Sequence, residues 1–286
     1  MMKRTIARMS KRPAAALLVL PLLVLAAWAR PVPKQSAAGL SLPKDGRAIV
    51  ASAAATELAS DRTDHTAYIY RDHDVTPGND TLFLMVETPQ GNLKRTLEDH
   101  GQPLSPEARR VDDLRIHGLM NDANAQQHQR KDAVHDDEQA EQLLKLLPNA
   151  FLWSIASENG DLITLDFKPD PNFDPDNMEA RVFAAMAGQV VVAKGDNRIR
   201  TIKGKLVEDV KIAYGIVGRL HKGGTFQVER REIAPHHWQV TELHVHLEGK
   251  VFFKTIGSQE DEHKTDFKPS PALDLKQAYD ILMKVP

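Results

Sequence analysis

His244 and His246 are the residues whose type and spacing most resemble a metal site. Alternate residues of an extended segment project from one face, and two imidazoles with a third ligand make a zinc centre. The two faces can be compared directly. Leu243, Val245 and Leu247 take one side, while Glu242, His244, His246 and Glu248 take the other. The histidines therefore sit on a polar side, which in a one-sided sheet faces water. His236 and His237 lie in the turn just ahead and His221 in another turn. None of these spacings specifies the third ligand and dry pocket that catalytic zinc needs. No metal ligand is assigned.

Other chemistry is no better supported. Asp170, Asp174 and Asp176 fall in the turn PDPNFDPDN, but the ordered acidic positions, glycine and distal glutamate of a calcium loop are missing. Capping is the simpler role, with Asp174 as N-cap and Pro175 at the first helical position. The chain has no cysteine, no Gly-x-Ser-x-Gly and no His-Glu-x-x-His, which removes thiol chemistry and two common hydrolase signatures. Gly215, Gly218, Gly223 and Gly224 run from strand to strand and so do not cradle a phosphate at a helix start; they read as bulge and turn positions. No catalytic residue and no cofactor site are assigned, and a non-enzymatic protein is expected.

The elements that would position any site are dominated by strands. The runs VVVA (190–193), RIRTI (198–202), VKIAYGIV (210–217), TFQVERREI (225–233), WQVTELHVHL (238–247) and VFFKTI (251–256) follow one another with short turns between them. Such spacing without intervening helices predicts an antiparallel meander. Val210, Ile212, Tyr214 and Ile216 alternate with smaller residues, and Phe226 shares a face with Val228 as Val251 does with Phe253. That apolar side must be covered.

Four helices are available as covers. An Ala-rich segment spans 45–60, and 103–147 reads as two helices, the first solvated and the second ending in the amphipathic QAEQLLKLL. A short helix is expected over 176–186, and a last one follows Asp274. Strands are expected at 66–71, 81–88, 91–99, 151–157 and 162–168. The fold class that results is α+β, a large curved antiparallel sheet (an incomplete β-barrel) covered on its concave side by helices.

The ends bound the protein further. Lys3, Arg4, Arg8, Lys11 and Arg12 precede the uncharged run Ala14 to Ala29, which closes on Ala27-Trp28-Ala29. This predicts an export signal, residues 1–29, cleaved after Ala29. The run is short for a membrane span and is broken by Pro21, so no transmembrane segment is expected after cleavage. Without cysteine there is no lipidated lipobox. Residues 30–44 read as a flexible leader, and 45–286 as one domain carrying the charged insertion 103–147. The 37 basic against 39 acidic residues give a net charge of −2, which argues against a nucleic-acid partner.

The order of elements, with the stretches 177–206 and 209–256, the Gly223-Gly224 turn and the Pro235-x-x-Trp238 pattern before a strand, resembles the LolA-like family of outer-membrane lipoprotein-sorting proteins, in particular a secreted branch of it. The resemblance implies a half-barrel with a helical lid, a periplasmic or secreted location, and a lipoprotein or acyl chain held between sheet and helices. It also leaves room for an envelope sensor or scaffold that binds a protein partner. The charged segment at 105–142 and the low aromatic content of 6% depart from the compact carriers, and no ligand-contact residue of the family transfers to a position here.

Overall fold

The computed structural model describes residues 45–212, 218–251 and 254–285. The export signal, the leader, residues 213–217 of the expected strand and Phe252-Phe253 lie outside the described residues. Helix α1 (Gly46–Asp61) is started by Asp45, whose side chain accepts from the Arg47 amide at 3.0 Å. Three strands follow: β1 (Tyr68–Thr76), β2 (Asn79–Thr88) and β3 (Gly91–Asp99), with the two-residue β4 (Gln102–Pro103) after them. Next come α2 (Pro106–Asn121), capped by Ser105, and the long α3 (Ala123–Ala150), capped by Asp122. The chain continues through β5 (Phe151–Asn159), β6 (Leu162–Pro169), α4 (Met178–Ala184), β7 (Met186–Ala193), β8 (Arg198–Leu206), β9 (Val210–Ile212) and β10 (Gly218–Leu220). It ends in β11 (Thr225–Ala234), β12 (His237–Val251), β13 (Lys254–Pro269) and α5 (Leu275–Leu282).

The strands form one antiparallel sheet in the order β4-β3-β2-β1-β13-β12-β11-β8-β7-β6-β5, with β9 and β10 attached beside β12. Its end strands do not pair with one another, so it is not a closed barrel. This is the α+β architecture with a large antiparallel sheet that the alternation predicts.

Directly paired residues share a face, so the two sides can be followed across the ladder. Leu243, Val245 and Leu247 are buried, as their alternation requires. They share a core with Phe226, Val228, Ile202, Val190 and Leu165 of neighbouring strands. Helices α1, α3 and α4 cover this core through Ile49, Val50, Leu143, Leu144, Leu147, Val182 and Phe183. Each leucine so buried contributes roughly 1.5–3 kcal/mol over leaving it exposed.

The fourth cover behaves differently. Leu243 pairs with Glu262 of β13, and Glu262 with Asp74 of β1. The side that is apolar in β12 therefore carries Asp74, Asp72 and Tyr70 in β1. Ile69 and its partner Val86 have the opposite parity. They belong to a second core with Leu93, Ile116, Leu275, Ala278 and Leu282. Thus α5, expected beside the other helices, packs with α2 against the reverse side of the far end of the sheet. The packed layer changes sides along the strand order.

Three further expectations are corrected. Helix α2 is not simply solvated: Ile116 and Asp112 are buried. Asp112 accepts from the Thr96 amide at 3.0 Å, and Arg115 donates to the Lys94 carbonyl at 2.6 Å, so α2 caps the outer edge of β3. The N-cap of α4 is Asn177, whose side chain accepts from the Ala180 amide at 2.7 Å, not Asp174; the helix stops at Ala184 and Met186 already belongs to β7. The run 251–256 is not one strand. Glu248-Gly249 is no turn, because Gly249 pairs with Ile256 within the β12–β13 ladder. Val251 closes β12 and pairs with Lys254, which opens β13; this strand runs 16 residues through QEDEHKTDFKP, a central strand with no apolar alternation to reveal it.

Two paired glycines let the core close. A Cβ on Gly188 would lie 1.9 Å from the Lys203 carbonyl oxygen, and one on Gly204 would lie 2.8 Å from the Phe226 ring. Gly188→Ala should lower stability by about 1–3 kcal/mol through overpacking, read as a lowered urea midpoint with an unchanged slope.

Candidate functional site

Between the first and third helices and the sheet lies a cleft of about 440 Å³, within the size range of small-ligand sites. The end of α1 supplies Asp61, and the loop after it supplies His65 and Ala67. The β2–β3 turn supplies Glu87 to Asn92, and α3 supplies Gln129, Arg130, Ala133, Val134 and Asp137.

Each wall is held by identifiable contacts. Thr88 donates its hydroxyl to the Gly91 carbonyl at 2.8 Å and accepts from the Gln90 amide at 3.1 Å, which fixes the turn. Gln129 reaches the Asn92 side chain at 2.6 Å, and Arg62 pairs with Glu141 at 2.6 Å, so α3 is tied to the turn and to the end of α1. Below the cleft, Glu57 is fully buried. Its carboxylate accepts from the Ile199 amide at 2.7 Å, from Arg198 at 3.0 and 2.7 Å, and from Arg230. This triad locks α1 to β8 and β11.

The carboxyl groups of the cleft resist ionisation. Burial pushes Asp61 up to about 6, a rise that Arg230 opposes and Glu57 reinforces. Burial, with the charges of Asp61 and Asp136, pushes Asp137 up to about 7, and its Oδ1 is buried without a hydrogen-bond partner among the described residues. Burial also raises Glu87, against the Tyr68 amide that donates to it at 2.9 Å. His65 is exposed at the mouth of the cleft, and partial desolvation lowers its pKa to about 4. Glu87 joins the cleft to a second buried group on β1 and β13: Asp72, Glu262 and Lys264 beneath the Tyr70 ring. Lys264 lies 3.3 Å from Glu262, and burial followed by the Glu262 charge raises Asp72 to about 7. Between about pH 5 and 6 Asp61 and Asp137 therefore keep much of their protons and offer carboxyl O–H donors, and near neutral pH Asp137 still does so in part.

The histidines singled out by spacing are elsewhere. His244 is half-buried on the polar side, 2.7 Å from Asp261, and His246 is exposed, 3.3 Å from Glu248. His237 meets Asp64 at 2.8 Å, and His221 lies 3.9 Å from Asp209. Only His236 joins a set with metal-ligand spacing among the described residues. It does so with Asp196 and Glu232, their ligand atoms within 4.8 Å of one another, and Glu232 and His236 are exposed. Asp170 serves its own turn, accepting from the Asn172 amide at 2.9 Å. Sequence reasoning passed over Asp61, His65, Glu87 and Asp137. The single local signal is the break at 61–65, where a polar run ends an Ala-rich helix.

No protein-family model, no curated protein and no solved structure matches this chain.

Proposed function

We propose that this is an exported, non-enzymatic protein of the periplasm that holds an acyl chain, as a lipoprotein presents it, in the cleft between α1, α3 and the β2–β3 turn. The observation that carries the reading is where the room lies. Among the described residues, helices α1, α3 and α4 pack on the sheet with about 10 Å³ left beside Leu144, Ile202 and Arg230, and a smaller space of about 190 Å³ lies between α3 and α4. The cleft provides about 440 Å³. Ala67, Pro89, Ala133 and Val134 form apolar wall, and Asp137, raised to about 7, stays partly protonated near neutral pH and can then donate to an acyl ester or amide carbonyl. Opening would swing the first half of α3, held by exposed polar ties such as Gln129–Asn92 and Arg130–Gln90, each worth about 0.5–1.5 kcal/mol, while Leu143, Leu144 and Leu147 stay anchored. The resemblance to lipoprotein-sorting carriers points to the same ligand class.

Delipidated protein should take up a fluorescent fatty-acid probe. Ala133→Trp, which fills the cleft from an exposed helix position, should weaken uptake about 10-fold or more with little change in stability. Uptake that is absent, or indifferent to this substitution, removes the reading. Val111 and Leu114, 57% and 72% exposed and three apart on α2, favour a second reading, an envelope sensor or scaffold that docks a protein partner. Recovery of one envelope protein, without acylated lipoproteins, in a pull-down would favour it.

A further inference from the structure

We propose that β5 is the surface through which two copies of this chain associate, by antiparallel pairing of the two β5 strands about a two-fold axis at Trp153. The two ends of the sheet are finished differently. At β3, Asp112, Arg115 and Gln129 occupy the edge backbone groups. At β5, Leu152 and Ile155 are 42% and 39% exposed, and every residue from Ser154 to Asn159 is exposed. Helix α1 lies over the face of this strand, since a Cβ on Gly46 would come within 3.3 Å of the Trp153 Cβ. It does not close the edge: among the described residues no group bonds the outward backbone of Trp153 or Ile155.

The direction of that backbone follows from the pairing. Phe151 stands opposite Pro169, which has no N–H, and the Asp170 amide donates to the Ala150 carbonyl at 3.1 Å. The alternation of an antiparallel ladder then turns the amides and carbonyls of Leu152 and Ser154 toward β6 and those of Phe151, Trp153 and Ile155 outward. The bulge between Ile155 and Ser157 ends this regular stretch.

A two-fold axis at Trp153 sets Phe151 opposite Ile155 and Leu152 opposite Ser154. Outward groups then meet outward groups, and the apolar side of each strand continues into the other. Residues 151–157 carry no charge and include neither Lys nor Pro, the usual guards of an edge. The nearest charge, Glu158, lies past the bulge, so no like charges face each other. The patch is its own complement, as an isologous contact requires. An extended foreign peptide would need a matching sequence, whereas a second copy supplies one.

The test is the mass of the full chain in solution, by light scattering and sedimentation over a dilution series of about two decades. A dimer that dissociates on dilution is expected. Ile155→Pro removes one outward N–H at a position where an edge strand tolerates proline, and Ile155→Lys sets a charge opposite the apolar Phe151 of the other copy. Each should weaken the dimer at least about 10-fold, with unchanged circular dichroism. The double variant Leu152→Cys/Ser154→Cys, in a chain without other cysteines, should cross-link two copies in this register. A monomer at every concentration overturns the proposal. So does a dimer indifferent to both substitutions at Ile155, or edge capture of an extended peptide by a persistent monomer.

Discussion

Glu57→Gln should destabilise the protein by about 3–5 kcal/mol, a large share of the roughly 5–15 kcal/mol that holds a typical domain folded. Glu57 has no solvent exposure, and Arg198 and Arg230 are almost as deeply buried. The carboxylate takes hydrogen bonds from both guanidinium groups and from the Ile199 amide. Burial works to raise its pKa, but Arg230 and Arg198 together outweigh it, so Glu57 sits below the ordinary carboxylate range. The amide keeps the shape and removes the charge, leaving two guanidinium groups buried against a neutral partner. Arg198 also stacks at 5.9 Å on Trp238 and donates to Ser60 at 3.1 Å, so it cannot swing out to water without further loss. Because α1 forms one wall of the cleft, uptake of an acyl probe should fall with stability. Urea denaturation of wild type and variant gives the measurement. A loss below about 1 kcal/mol would mean that the triad contributes no more than an exposed ion pair.

Acidification from pH 8 to about 5.5 should make the protein more stable. An acid whose pKa is raised by folding binds its proton more tightly in the folded chain. Its contribution is therefore lost as pH rises from the ordinary value through the folded one. Asp61 titrates near 6, and Asp72 and Asp137 near 7, all from an ordinary 3.8, and Glu87 is raised in the same sense. His65 opposes them: its pKa is depressed from 6.5 to about 4, so its contribution is lost as pH falls through that interval. Glu57 and Asp64 are depressed as well and set the acid limit, losing their contributions below the ordinary 4.5 and 3.8. Lys264 is raised from 10.5 and so stays charged across the window. After discounting the half-buried Asp137 for solvent screening, the net gain is on the order of 2 kcal/mol, or about 4–8 °C in Tm for a chain of this size. Thermal melts at fixed ionic strength give the profile. A flat or inverted profile between pH 8 and 5.5 would mean that these carboxyls stay ionised in the folded chain. Asp72→Asn should remove part of the slope.

Both effects come from groups that periodicity does not reveal. Glu57 is one of two acidic positions in an Ala-rich helix, and nothing local says that it faces inward. Its partners Arg198 and Arg230 sit on β8 and β11, which are adjacent in the sheet but far apart in the chain. The same holds for β13. Glu262 and Lys264 face one way, and Asp261 and His263 the other, so neither side reads as apolar and the central strand looks like a loop. By contrast, Leu243-His244-Val245-His246-Leu247 alternates cleanly, and its two faces are the ones its residues specify. Ser105 and Asp274 cap their helices through local bonds to nearby amides, which is why those starts were legible, while the Asp122 cap between α2 and α3 went unread and the start of α4, shared among several Asp and Asn residues, was misplaced by a few positions.

The amino-acid sequence by itself determined the local order: which segments other than β13 are strands or helices, where most helices begin, and which side of the β12 histidines meets water. These depend on alternation, capping and turn chemistry within a few residues. Only the tertiary structure decided that α5 and α2 cover the opposite side of the sheet from α1, α3 and α4. It alone brought Asp61, Glu87 and Asp137 into one cleft, sealed the edge at β3 and, among the described residues, left β5 uncovered. The physical reason is that pairing across distant strands and helix-on-sheet packing select partners by shape and desolvation. Those terms are summed over contacts between segments that no local pattern connects.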